Sequence, residues 1–110
     1  MTDSSAFHTI KLSGRLDTSR VGELETRFYA EVGAIKKAGD VALLDLSAVE
    51  FLSSLGIRLL VTAGKTLTQR HVKLGVIAPA SEDVLHALET SGLTQIFSFF
   101  DSEEAARAAL

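Results

Sequence analysis

The sequence contains no cysteine, which excludes disulfide scaffolds, zinc knuckles and thiol chemistry together. It contains no asparagine either, so it carries no N-glycosylation sequon. No apolar run approaches the roughly 20 residues that a membrane-spanning helix requires. The stretch from Met1 to Phe7 lacks the basic and apolar regions of a signal peptide. A net charge of -3 leaves no basic stripe to neutralise phosphates, so nucleic acid is not an expected partner. These absences lead to the expectation of a soluble, cytoplasmic protein with no direct membrane insertion.

What is present describes one folded domain. A chain of 110 residues is long enough for one core and too short for two, and its 46% apolar residues are spread along it rather than blocked. The expected domain therefore runs over 1–110. Residues 7–13 alternate, with Ile10 and Leu12 on one face, and read as a strand that Gly14 breaks. Asp17, Thr18 and Ser19 offer three N-caps for a helix carrying Val21, Leu24, Phe28, Val32 and Ile35 on one face. Lys36 and Lys37 are placed at its end, where cations oppose the helix dipole, and Gly39 as the residue just beyond.

Residues 41–46 (VALLDL) form a near-continuous apolar run, the pattern of a parallel strand buried on both faces. A second helix is predicted to start near Ser53–Ser54, turn Ile57, Leu60, Val61 and Leu67 inward, and fade at Arg70–His71. Val72, Leu74 and Val76 alternate in a third strand that Pro79, the one proline, closes. Ser81 caps a third helix with Val84, Leu85 and Leu88 inward and Gly92 at its end. Residues 95–100 (QIFSFF) read as a last strand, and Asp101 with Glu104 resembles a capping box opening a short final helix. The order β-α-β-α-β-α-β-α implies an α/β fold: a mostly parallel or mixed sheet of about four strands flanked by about four helices.

In such sheets partners meet the loops at the carboxyl ends of the strands. The segment after residues 41–46 runs Ser47-Ala48-Val49-Glu50-Phe51-Leu52-Ser53-Ser54-Leu55-Gly56 and places two hydroxyls at a helix start. Unpaired N–H groups and the positive end of the dipole there suit an added phosphate, which would bring about -1.5 to -2 charges. Asp17, Asp45 and Glu50 are expected near it, and Gly56 would let another backbone or a bulky partner come close. A serine at this position can equally be only an N-cap.

The stretch from Asp45 to Leu60 resembles the signature of STAS domains, in which a strand ending Asp-Leu-Ser leads through Val-x-Phe to a serine-rich helix start with glycine. Gly14-Arg15-Leu16-Asp17 is similar to the family's Gly-x-Leu-Asp before the first helix. Ser91-Gly92-Leu93, Ile96-Phe97 and Ser102-Glu103-Glu104-Ala105 match its C-terminal pattern, so the likeness spans essentially the whole chain. Members of this length are anti-sigma-factor antagonists. The resemblance implies a protein that binds an anti-sigma factor and is phosphorylated by it when it is a serine kinase, with a serine phosphatase reversing the step. Aligning Gly56 with the family glycine puts the phosphoacceptor on Ser54. Ser53 stands where an aspartate is common and becomes the rival acceptor, Leu55 replaces the usual serine, and Arg58 a later glycine. Asp17, Asp45, Glu50, Ser53, Ser54, Gly56 and Arg58 are the expected partner-binding residues. An unphosphorylated STAS adaptor subunit of a lipid-transport or stress-signalling complex is the alternative, and a ligand-binding domain using the same crevice is a second rival.

Other signals do not assemble into chemistry. Gly64-Lys65-Thr66 copies the tail of a P-loop, but it lies inside a predicted helix and Leu59 stands at the first glycine. His8, His71 and His86 have no metal-ligand spacing, so no metal is expected. Ser54 lacks the Gly-x-Ser-x-Gly elbow of a hydrolase nucleophile. Phe97, Phe99 and Phe100 read as core rather than as a docking patch, and Glu103 and Glu104 as first-turn charges of a helix. No catalytic residue and no cofactor are expected.

Overall fold

A computed structural model of the chain describes residues 6–110. Of the stretch from Met1 to Phe7 read as lacking the regions of a signal peptide, residues 1–5 lie outside the described residues. Four strands, β1 (Phe7–Leu16), β2 (Val41–Leu52), β3 (Lys73–Ile77) and β4 (Ser98–Phe100), form one sheet in the order β1-β2-β3-β4. Every neighbouring pair is parallel, so the direction of the first strand is settled. The helices are α1 (Thr18–Gly33), α2 (Ser54–Gln69), α3 (Glu82–Thr90) and α4 (Glu103–Ala109).

The strand order dictates the layers. Three successive right-handed crossovers that step the same way along a sheet must leave their helices on the same face. Residues of α1, α2 and α3 accordingly share one core with Ile10, Leu12, Ala42, Leu44, Leu46, Leu74 and Val76. The terminal α4 follows no crossover and packs on the other face, where Ala106 meets Leu43, Ile77 and Phe100. Gly75 makes room there: a Cβ on it would stand 2.9 Å from Leu110 Cδ1 and 3.1 Å from Leu43 Cδ1. Burial on both faces explains the unbroken apolar run of residues 41–44. Each fully buried leucine in it contributes about 1.5–3 kcal/mol.

Several boundaries differ from those read in the sequence, each for a physical reason. Gly14 does not end β1. It adopts φ 75° and lets the strand continue to Leu16. β2 likewise runs on to Leu52, so residues 47–52 are strand and not loop. Ten residues of β1 face twelve of β2, and two irregularities absorb the difference, one opposite Leu12 and one at Glu50, which falls between the pairs Gly14–Val49 and Arg15–Phe51. α1 stops at Gly33, before Lys36 and Lys37, and Gly39 sits in the turn before β2 at φ 91° rather than at the helix end. Its terminal carbonyls are met from a distant element. Arg70 Nη1 donates to Val32 O, Gly33 O and Ile35 O at 3.4, 3.2 and 3.1 Å.

The last strand is shorter than residues 95–100, because Leu93–Gln95 wind into a 3-10 turn closed by the Ile96 N–H donating to Leu93 O. Ser102, not Asp101, caps α4, its Oγ accepting from the Ala105 N–H at 3.1 Å. In α2, Leu59, Ala63 and Gly64 are buried along with Leu60 and Leu67, whereas Ile57 and Val61 are half-buried. Phe97 is core, as read, with Phe99 and Phe100 half-buried against the two clusters. No helix among the described residues is long and apolar enough to cross a membrane.

Candidate functional site

At the carboxyl ends of β1 and β2 two helix starts stand side by side. Asp17 follows directly on β1 and caps α1, its Oδ1 accepting from the Arg20 N–H at 2.9 Å. Ser53 follows directly on β2 and caps α2, its Oγ accepting from the Gly56 N–H at 3.2 Å. The Ser53 N–H donates to Leu16 O at 3.0 Å and so ties the two starts together. Of the three candidate caps for α1, aspartate holds the position, while Thr18 and Ser19 are exposed.

The two serines at the α2 start differ in what their hydroxyls do. That of Ser53 is committed to the helix. Ser54, the first residue inside α2, is exposed, and its hydroxyl has no hydrogen-bond partner among the described residues. The first turn of α2 carries no acidic residue, whereas α3 has Glu82 and Asp83 there and α4 has Glu103 and Glu104. The positive end of a 16-residue helix is thus left without an anionic complement beside an open hydroxyl.

Gly56 is buried, and the close approach it permits is made by the chain itself. A Cβ there would lie 2.8 Å from Leu52 Cδ1 and 3.3 Å from Leu16 O. Glu50 is exposed and is the extra residue of the β2 irregularity, a placement that turns its side chain out of the regular pleat. Arg58 is exposed one turn beyond Ser54. It borders a cleft of about 330 Å³ between α1 and α2, together with Val21, Glu25, Tyr29, Leu55 and Leu59.

Asp45 does not join this group. It pairs in register with Lys11 and Ile77, seven residues before the end of β2. That distance is about 20 Å along a strand rising ~3.3 Å per residue. Its Oδ1 instead accepts from the Ser47 N–H at 3.0 Å and the Ser47 hydroxyl at 2.6 Å, holding the strand where the first irregularity begins.

Three further residues complete the face. Phe51 and Leu55, 38% and 37% exposed, are the large hydrophobics left open to solvent among the described residues, and they flank Ser53 and Ser54 in the chain. Arg15, the register partner of Phe51, places its guanidinium over the Phe51 ring. The sequence carried a trace of two of them: Leu55 stands where a serine is usual, and Arg15 fills the variable position of Gly-x-Leu-Asp. The exposure of Phe51 follows from a strand register that spacing does not reveal.

The arrangement is suited to recognition. It offers two apolar side chains, charges of both signs and one free hydroxyl at a helix start, with no group of three or more His, Asp or Glu side chains fit to hold a metal among the described residues. The one perturbed titratable group among the described residues is remote from it. Asp40, buried at the opposite end of β2, has its carboxyl held below the ordinary value by the hydrogen bond with His8 Nε2 at 2.8 Å and then by the Ala6 N–H.

Comparison with known proteins agrees with this architecture. Residues 2–106 match the sequence pattern of the STAS domain. The chain is 32% identical over 98 residues to a putative anti-sigma factor antagonist, BtrV, of Bordetella bronchiseptica, covering 89% of this chain and 81% of that protein. It is 29% identical over 103 residues to the anti-sigma-F factor antagonist RsfB of Mycobacterium tuberculosis, covering 93% and 80%. A crystal structure of an anti-sigma factor antagonist from Mycobacterium paratuberculosis superposes with a TM-score of 0.79 at 25% identity, over 98% of this chain and 88% of that one.

Proposed function

We propose, from the premise that this chain belongs to the STAS domain family, that it antagonises an anti-sigma factor by direct binding and is switched off by phosphorylation of Ser54. The observation that carries the reading is the division of labour between the two serines. Ser53 spends its hydroxyl on the Gly56 N–H, and Ser54 keeps its own free and exposed. The names of its relatives support antagonism of an anti-sigma factor.

The docking face comprises Phe51 and Leu55 as apolar contacts, Asp17, Glu50 and Arg58 as the charged border, and Gly56 as the buried residue that sets the depth of α2 against β1. The partner acts as a serine kinase: Ser54 Oγ attacks the γ-phosphorus of ATP, its proton leaves, and ADP departs. The product carries about -1.5 to -2 charges at neutral pH. α2 tolerates that charge, because it falls at the positive end of the helix dipole. An apolar partner surface resting on Phe51 and Leu55 does not, because it would have to desolvate the phosphate. The switch therefore needs little internal rearrangement, and a serine phosphatase resets it.

Phosphopeptide mapping tests this, after the purified protein is incubated with ATP and the kinase-like proteins of its own cell. One phosphate on Ser54, abolished by Ser54→Ala and accompanied by release of the partner, is expected. Unmodified Ser53 and Ser54 would end the switch and leave an unphosphorylated adaptor subunit as the reading.

A further inference from the structure

β1 is a sheet edge ten residues long, and one side of it is unpaired among the described residues. The hydrogen bond from the Val41 N–H to Ala6 O fixes which groups face outward. With the two-residue period of a strand, the backbone of His8 and Ile10 turns toward β2, and the amides and carbonyls of Thr9 and Lys11 turn to the free edge. Long open edges of this kind are templates for another strand.

A cleft of about 280 Å³ runs along this edge. It touches four consecutive residues of β1, Ile10 to Ser13, which point alternately to opposite faces, so it must pass over the backbone edge itself. Its other wall is α1, with half-buried Leu24 supplying apolar surface above the buried Phe28 ring. Lys11, Arg20 and Arg27 bring three cations to it, against the single carboxylate of Glu31, which pairs with Arg27 at 3.1 Å. Arg20 Nη1 leans over β1, 3.8 Å from where a Cβ on Gly14 would stand. The charge of this groove is opposite to the net charge of the chain.

We propose that the free edge of β1 is a second docking site, which binds an extended acidic segment of a protein partner by strand addition. Outward amides and carbonyls of Thr9 and Lys11 supply the main-chain pairing. Leu24 receives an apolar side chain, and Lys11 and Arg20 select carboxylates on either side of it. A second copy of this chain is the wrong occupant, because pairing two β1 edges would bring the cations of both copies together. This site is separate from the Ser54 face and stands or falls independently of it.

The test uses the full-length chain labelled with 15N and a capped five-residue peptide alternating glutamate and valine, with a lysine-for-glutamate peptide as control. The acidic peptide is expected to shift the amide signals of Thr9 and Lys11 and slow their hydrogen exchange several-fold. Raising the salt concentration should weaken the effect. Lys11→Pro removes an outward N–H without touching the ladder to β2, a place where an edge strand accepts proline, and should abolish the response. The double variant Arg20→Glu, Arg27→Glu alters exposed α1 residues and should abolish it while leaving the rest of the spectrum intact. Unmoved Thr9 and Lys11 signals at millimolar peptide overturn the proposal, as does equal binding of the basic peptide. So does a concentration-dependent dimer that protects the same amides.

Discussion

The Arg15 guanidinium lies 4.4 Å from the centroid of the Phe51 ring, across a register pair of the two longest strands. Each side chain restrains the other, so an exposed aromatic is held in one orientation before any partner arrives. A ring fixed in advance loses less conformational freedom on docking.

If this ring is an interface anchor, Phe51→Ala should weaken binding of the anti-sigma partner by about 2 kcal/mol, roughly thirtyfold in Kd. Stability should change by less than about 1 kcal/mol, since an exposed cation–π contact is worth about that much. Arg15→Ala should give a smaller loss of affinity by freeing the ring. Calorimetric titration and urea unfolding of the same variants separate the two effects. Unchanged affinity in Phe51→Ala would remove the ring from the interface.

Local signals carried furthest in the sequence. Asp17, Ser53 and Ser81 are caps that act within three residues of themselves, and each is a cap in the structure. The apolar run of residues 41–46 is likewise a local statement of burial on both faces, and its strand is central. What escaped was set by long-range pairing. β2 continues through the polar Ser47 and Glu50 because β1 lies alongside with backbone to offer, and no side-chain pattern announces that. The end of α1 depends on Arg70, 35 to 38 residues away. For the site, the hydroxyls and Asp17 were legible because helix starts are local. Asp45 was misplaced because a strand six residues longer than expected separates it from Ser54.

Arg70, half-buried just beyond the end of α2, should be the most costly residue to alter outside the core. It serves three carbonyls at the end of α1, and a hydrogen bond from a charged donor contributes about 1.5–3 kcal/mol. Arg70→Ala is expected to lower the unfolding free energy by about 2 kcal/mol, measured by urea denaturation. Arg70→Lys should fall between, because the shorter lysine side chain keeps the charge but does not carry its nitrogen to where Nη1 stands. A loss below about 0.5 kcal/mol in Arg70→Ala would show that solvent satisfies these carbonyls equally well.

Stability should also depend on acid through Asp40. Its carboxyl is held below the ordinary value of 3.8 by the His8 hydrogen bond first and the Ala6 N–H second. The unfolded chain therefore takes up that proton at higher pH than the folded one. The stabilisation is present in full above 3.8 and is lost as pH falls through the lower folded-state value. His8→Ala should move the Asp40 titration, followed by carboxyl carbon NMR, up toward 3.8 and flatten the acid limb of the stability profile. An Asp40 titration indifferent to His8→Ala would assign the effect to the Ala6 N–H and the Lys37 charge.

The two adjacent serines should separate cleanly by stability. Ser53→Ala removes the acceptor of the Gly56 N–H and is expected to cost about 1 kcal/mol, the usual loss of an N-cap. Ser54→Ala removes an exposed hydroxyl with no partner among the described residues and should stay within about 0.5 kcal/mol. Ser54→Asp sharpens the contrast. A carboxylate in the first turn of α2 meets a helix end with no acidic residue of its own, so it should stabilise the fold by about 0.3–1 kcal/mol. The same charge beside Phe51 and Leu55 should weaken partner binding. A variant that unfolds later yet binds worse cannot owe its defect to misfolding, so the pair of measurements isolates charge at the interface as the cause. If Ser54→Asp binds the partner as tightly as the unaltered protein, the docking face lies elsewhere.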